Sequence, residues 1–199
     1  MFQIHYFASK IKIVVNHKKI VITGAPGTGK TVLVEGLEKL GYPCYHEIIR
    51  TMTAEAKSKG NTDAMTVNPL TFVDDPMAFN RQLLEGRLAH YQKSDTIKEP
   101  LSFFDRGLPD VLGYMDYFEQ AYGEDFTKTC EKHTYDTIFM VPPWKEIYVS
   151  DNERLETFEQ AEELHEHLMA VYQRFGYDII LVPKTSIPKR IDFVLNALT

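Results

Sequence analysis

Lys19-Ile20-Val21-Ile22-Thr23-Gly24-Ala25-Pro26-Gly27-Thr28-Gly29-Lys30-Thr31 is the stretch on which the fold turns. Its first five residues read as a short buried strand. From Lys30 to Leu40 the apolar residues Val32, Leu33, Leu37 and Leu40 recur at helical spacing. Between strand and helix, Gly24, Gly29, Lys30 and Thr31 fill every fixed position of the pattern G-x-x-x-x-G-K-[ST]. Such a turn aims backbone N–H groups and a helix N-terminus at an anion. Gly24 and Gly29 permit the backbone conformations and close approaches that a Cβ would hinder. Lys30 can neutralise β- and γ-phosphate charge, and the Thr31 hydroxyl can ligate Mg²⁺. Gly24, Ala25, Pro26, Gly27, Thr28, Gly29, Lys30 and Thr31 are therefore expected to cradle the phosphates of ATP or a related nucleoside triphosphate. A glycine turn that binds no phosphate, or a loop that binds without catalysing, is the alternative.

Outward from this segment, short apolar runs alternate with helical patterns, which predicts a parallel sheet covered by helices on both faces. A second strand is expected at Tyr42–His46, after the Gly41 helix stop, and a helix over Glu47–Lys59. Residues 60–76 turn to Asn, Thr, Asp and Pro and read as a mobile segment. A helix over Pro76–Lys93 follows from the stripe Phe79, Leu83, Leu84, Leu88 and Tyr91. Leu101–Phe104 is a strand with Asp105 at its carboxyl end. Thr137–Val141 and Asp178–Val182 are strands stopped by Pro142 and Pro183. Helices are expected over Thr157–Phe175 and Ile187–Leu198. The expected fold class is α/β, a three-layer sandwich around five parallel strands. One domain spans residues 18–199, and residues 1–17 form a leader or an edge strand.

Bulk composition agrees with one globular domain. The 199 residues are 44% hydrophobic and 25% charged. A formal net charge of −6 gives no general attraction for nucleic acid. Cys44 and Cys130 stand far apart and suggest neither a disulfide framework nor a zinc motif, which fits a reducing cytoplasm. The interrupted start does not read as a signal peptide, and no run approaches the roughly 20 apolar residues of a membrane span.

Several charged residues fall where ligands of parallel sheets bind, beyond the carboxyl ends of strands. Asp105 is expected to hold hydrated Mg²⁺ with Thr31, or to cap the helix starting near Leu108. Arg106 reaches a phosphate or acceptor, or pairs with Asp105 or Asp110. Glu47, at the end of the second strand, is the candidate general base; the alternative is a solvated first-turn Glu. Arg50, one turn on, can form an i,i+3 pair with it. The polar run Trp144–Arg154 is either a surface loop or a lid, with Arg154 and less strongly Lys145 meeting charge developed in phosphoryl transfer. His165 and His167 point to different helix faces and suggest no zinc site.

Taken together, the phosphate loop, Glu47 with Arg50, Phe104-Asp105-Arg106-Gly107-Leu108-Pro109-Asp110, and Asp151-Asn152-Glu153-Arg154 with Thr157-Phe158 resemble the small AAA-domain predicted ATPases. That group is similar to nicotinamide-riboside kinase domains and, more distantly, to other P-loop nucleoside and nucleotide kinases. The resemblance covers Lys18 to the C-terminus. It implies the kinase-type strand order, with the strand ending at Asp105 beside the phosphate-loop strand, and a lid carrying Arg154. No Asn/Thr-Lys-x-Asp guanine signature is present, so ATP is favoured over GTP. Two functions follow as expectations. One is a phosphotransferase using Lys30, Glu47, Asp105, Arg106 and Arg154 on a small-molecule acceptor. The other is a nucleotide-dependent switch that acts on a partner through slow hydrolysis.

Overall fold

Strand β1 (Lys18–Thr23) carries Ile20, Val21 and Ile22, all with no solvent exposure, as a strand covered on both faces requires. A computed structural model describes residues 17–49, 75–148 and 157–199. Among these, β1 is followed by α1 (Lys30–Lys39), β2 (Cys44–Tyr45), α2 (Pro76–Ser94), β3 (Leu101–Asp105), α3 (Pro109–Tyr117) and α4 (Glu124–Lys132). Then come β4 (Thr137–Met140), a single 3₁₀ turn (Lys145–Ile147), α5 (Phe158–Arg174), β5 (Ile179–Leu181) and α6 (Ile187–Asn196). The five strands are parallel in the order β2-β3-β1-β4-β5. The kinase-type order holds, and Ile22 of β1 lies in register with Asp105 of β3.

Strand alternation splits the core into two layers. Ile20, Ile22, Phe103 and Phe139 face one side, where Leu33, Val34 and Leu37 of α1 and Val194 of α6 cover them. Val21, Phe104, Ile138 and Met140 face the other side and pack with α2, α3 and α5. The helices of the second layer approach closely: a Cβ on Gly113 of α3 would lie 2.9 Å from Leu168 Cδ2 of α5.

Some boundaries differ from expectation. The second strand shrinks from Tyr42–His46 to Cys44–Tyr45. Pro43 has no N–H to give a ladder, and contributes only its carbonyl, which accepts from Phe103 N at 2.9 Å. Helix α4 was not expected; its signal is Phe126 and Cys130, buried four residues apart behind the acidic first turn Glu124-Asp125. The leader's last residue, His17, hydrogen-bonds the Glu99 carbonyl and the Ser102 hydroxyl. Residues 1–16, most of 60–76, and the helix expected after Ile49 lie outside the described residues.

Helix α5 begins with a capping box. The Thr157 hydroxyl accepts from Gln160 N, and the Gln160 side chain accepts from Thr157 N. Thr157→Ala should lower stability by about 1 kcal/mol in urea denaturation, with the m-value unchanged.

Candidate functional site

The chain leaves β1 at Thr23 and turns with positive φ at Gly24 (144°), Gly27 (75°) and Gly29 (87°). A Cβ on Gly24 would collide with the Val141 carbonyl at the end of β4, so the motif's first glycine answers a close backbone approach. The Ala25 carbonyl accepts from the Thr28 hydroxyl at 3.0 Å and from Lys30 Nζ at 2.7 Å. Lys30 is thus folded across its own loop and is 7% exposed. Burial first, and then the nearby Arg106 charge, lower its pKa to about 7, although Asp105 and Glu47 pull the other way.

Beside the loop lies a buried ionic cluster of two guanidiniums and two carboxylates. Glu47 accepts from Arg87 at 3.0 Å and pairs with Nε of Arg106. Arg106 Nη1 donates to Asp110 and to the Gly24 carbonyl, both at 3.1 Å, and Nη2 donates to the Tyr114 hydroxyl at 2.8 Å. Asp110, with no exposure, also accepts from the Thr23 hydroxyl, from Gly107 N at 2.9 Å and from the Tyr172 hydroxyl at 2.6 Å. The cluster therefore joins the end of β1, the β3–α3 turn, α2 and α5. Arg106 itself sits at φ 76°, a left-handed conformation that is strained for a side-chain-bearing residue. Its N–H donates to the Ile22 carbonyl at 3.0 Å, and its side chain lies over Gly24.

Several residues singled out in the sequence are buried or paired here. Arg106 pairs with Asp110 and with Glu47. Glu47 is no solvated helix-start residue, because its side chain is only 12% exposed. Burial alone would raise its pKa, but Arg87 and Arg106 hold it below the usual carboxylate range. Helix α3 has Leu108 at its N-cap, with no side-chain cap there, while Asp110 accepts from Gly107 N and the Tyr135 hydroxyl accepts from Leu108 N. Asp105 is 4% exposed beside β1, and its charge is felt at Lys30. A hydroxyl at Thr31 and one carboxylate at Asp105 suit Mg²⁺, which is held by one or two carboxylates plus substrate phosphates rather than by an all-protein cage. Among the described residues no group of three His, Cys, Asp or Glu forms a metal cage.

Arg50 and Arg154 lie outside the described residues. The first part of the expected lid lies against the loop: a Cβ on Gly27 would fall 2.8 Å from the Tyr148 ring. Lys145 Nζ stands 5.7 Å from the Phe158 ring. Arg87 escaped sequence reading. Its signal was a charge set among Leu83, Leu84 and Leu88 on the buried stripe of α2.

A family model described as AAA domain matches residues 19–190. A search of curated protein sequences returns no match. Among solved structures, the chain is similar to deoxyadenosine kinase from M. mycoides, at 17% identity and TM-score 0.62, covering 90% of this chain and 98% of that one. It is similar to thymidylate kinase from Ehrlichia chaffeensis, at 14% identity and TM-score 0.63, covering 92% and 100%. It is also similar to a NadR protein in complex with NR, at 20% identity and TM-score 0.64, covering 92% of this chain and 50% of that one. The chain therefore spans about half of NadR and nearly all of the two kinases. The fold they share is that of the P-loop nucleoside and nucleotide kinases. No described helix is long and apolar enough to cross a membrane.

Proposed function

The chain belongs to the AAA-domain family, and from that membership and the site's geometry we propose that it is a small phosphotransferase. It would move the γ-phosphoryl group of Mg-ATP to a nucleoside, nucleotide or similar small acceptor. The observation that carries this reading is Glu47, a carboxylate fixed by Arg87 and Arg106 at the same sheet end as the phosphate loop. A fixed carboxylate at that place can hold an acceptor hydroxyl in line with the γ-phosphate, and positioning is most of what phosphoryl transfer asks of the protein.

In this reading Lys30 and the loop N–H groups take the β- and γ-phosphates. Thr31 and Asp105 would hold Mg²⁺, which supplies charge neutralisation on the phosphate oxygens. Glu47, ionised by its two arginines, accepts the hydrogen bond of the acceptor hydroxyl and orients it; its depressed pKa suits orientation better than strong proton abstraction. Arg106 spends its donors on Glu47, Asp110, Gly24 and Tyr114, so it fixes this geometry rather than reaching outward. Arg154 is the sequence's candidate for meeting charge in the transition state.

The test is a mass-spectrometric screen of nucleosides, nucleotides and vitamin-like ribosides with Mg-ATP. A phosphorylated acceptor is expected. ATP consumption with no acceptor modified, responding instead to a protein partner, would point to a switch. Against the acceptor found, Glu47→Gln should retain nucleotide binding and lose about tenfold or more in transfer. Unchanged transfer would remove Glu47 from the role.

Lys30 gives a pH signature. A bound triphosphate would restore the charge that burial suppresses in the empty loop, so binding at pH 8 should take up a proton and weaken as pH rises further. The triphosphate's own terminal ionisation, near pH 6, is complete there. Calorimetry in buffers of different ionisation enthalpy reads the uptake directly. Buffer-independent heats would mean that Lys30 is already charged in the empty protein.

A further inference from the structure

Arg190, on the C-terminal helix α6, is completely buried. Its Nη1 donates to the Thr28 carbonyl of the phosphate loop at 2.9 Å, and its guanidinium lies 5.3 Å from the ring of Trp144, the chain's single tryptophan. Nε and Nη2 have no hydrogen-bond partner among the described residues. Nor is any carboxylate there paired with it, and burial is what disfavours its charge. Arg106 offers a contrast, because two carboxylates answer its charge. An uncompensated buried cation is costly, and buried donors left without partners in a native fold call for a specific explanation.

The location says what that partner is. A Cβ on Gly29 would stand 3.2 Å from Arg190 Nη1, so the guanidinium lies directly against the turn whose following N–H groups open α1. We propose that Arg190 is a positioning residue for the nucleotide's polyphosphate, setting a fixed positive charge against the loop backbone that is compensated only when a highly charged phosphate chain is bound. Lys30 supplies one cation to the loop and Arg190 a second, from a different element. In this low-dielectric setting the attraction grows with ligand charge, so the residue favours triphosphate over diphosphate and monophosphate. This rests on the reading that the loop binds a nucleoside triphosphate.

The test is displacement of a fluorescent ATP analogue by ATP, ADP and AMP, with the parent protein and with Arg190→Met, Arg190→Gln and Arg190→Lys. Neutral variants should bind ATP about tenfold more weakly, ADP less affected and AMP least, while lysine should stay within about threefold of the parent. Gln keeps a donor for Thr28 without the charge, so a purely structural role predicts that it binds normally. The proposal is overturned if ATP binding by the neutral variants stays within twofold, or if all three ligands weaken by one factor. Should neither neutral variant fold, the lysine variant decides, and loss of ATP binding there refutes a role for charge. A parent protein that does not bind the analogue sinks the loop reading itself; a parent that binds with a flat response in the variants sinks only the role of Arg190.

Discussion

Lys30→Met should reduce phosphoryl transfer by about a thousandfold while leaving the empty protein no less stable than the parent. The two halves come from one fact. Lys30 is buried against the Ala25 carbonyl, where burial and Arg106 both disfavour its charge. In the empty protein that charge is a burden, and methionine of similar length removes it at the cost of one hydrogen bond. In the reacting complex the same charge would face the β- and γ-phosphates, where negative charge redistributes. Thermal melting and steady-state transfer, measured on the same preparation, separate the two. A variant that melts much lower would mean that Lys30 is chiefly structural, and one that turns over normally would remove it from the chemistry.

The second large effect is on stability. Asp110→Asn should cost about 3–5 kcal/mol in urea denaturation, far more than an exposed Asp→Asn change. Asp110 accepts from Thr23, Arg106, Gly107 and Tyr172 with no solvent exposure. Asparagine nearly preserves its shape, but presents one acceptor oxygen and leaves Arg106 with one carboxylate instead of two. The pH dependence provides a cross-check. Burial alone would raise the Asp110 pKa, yet Arg106, Arg87 and the hydroxyls of Thr23 and Tyr172 hold it below the ordinary value. Its stabilisation is therefore complete above the unfolded carboxylate pKa and is lost as pH falls below about 4 through the depressed folded value. The parent should lose stability steeply over that range, and Asp110→Asn should flatten the loss.

The loop, β1 and the strand ending at Asp105 were legible because their signals are local: glycines at fixed offsets, an unbroken apolar run, and a helical stripe beginning at Lys30. The order of the strands came from the resemblance of the Asp105–Asp110 run, since periodicity alone does not order a sheet. The ionic cluster was only half legible. Glu47 and Arg106 stand just past strand ends and Asp110 in the first turn of α3, so each could be noticed alone. Arg87 is 40 residues from Glu47, and Tyr172 is 62 from Asp110, so nothing local ties either to its partner. Sequence reading could pair Arg106 with Asp110, four residues on, but not with Glu47, which is 59 residues away and reached only through the fold. Its left-handed backbone was equally hidden, because the residue carries a side chain and only the surrounding bonds hold it there. Arg190 carries no local signal, since its partners Thr28 and Trp144 are distant in sequence and meet it only through the packing of α6.

The fate of the γ-phosphate separates transfer from hydrolysis. The protein is incubated with Mg-ATP labelled at that position and with small acceptors, and the products are separated. Label is expected in a phosphorylated small molecule, dependent on Lys30. Label recovered solely as inorganic phosphate across nucleosides, nucleotides and ribosides would contradict phosphoryl transfer and leave a hydrolytic switch in its place.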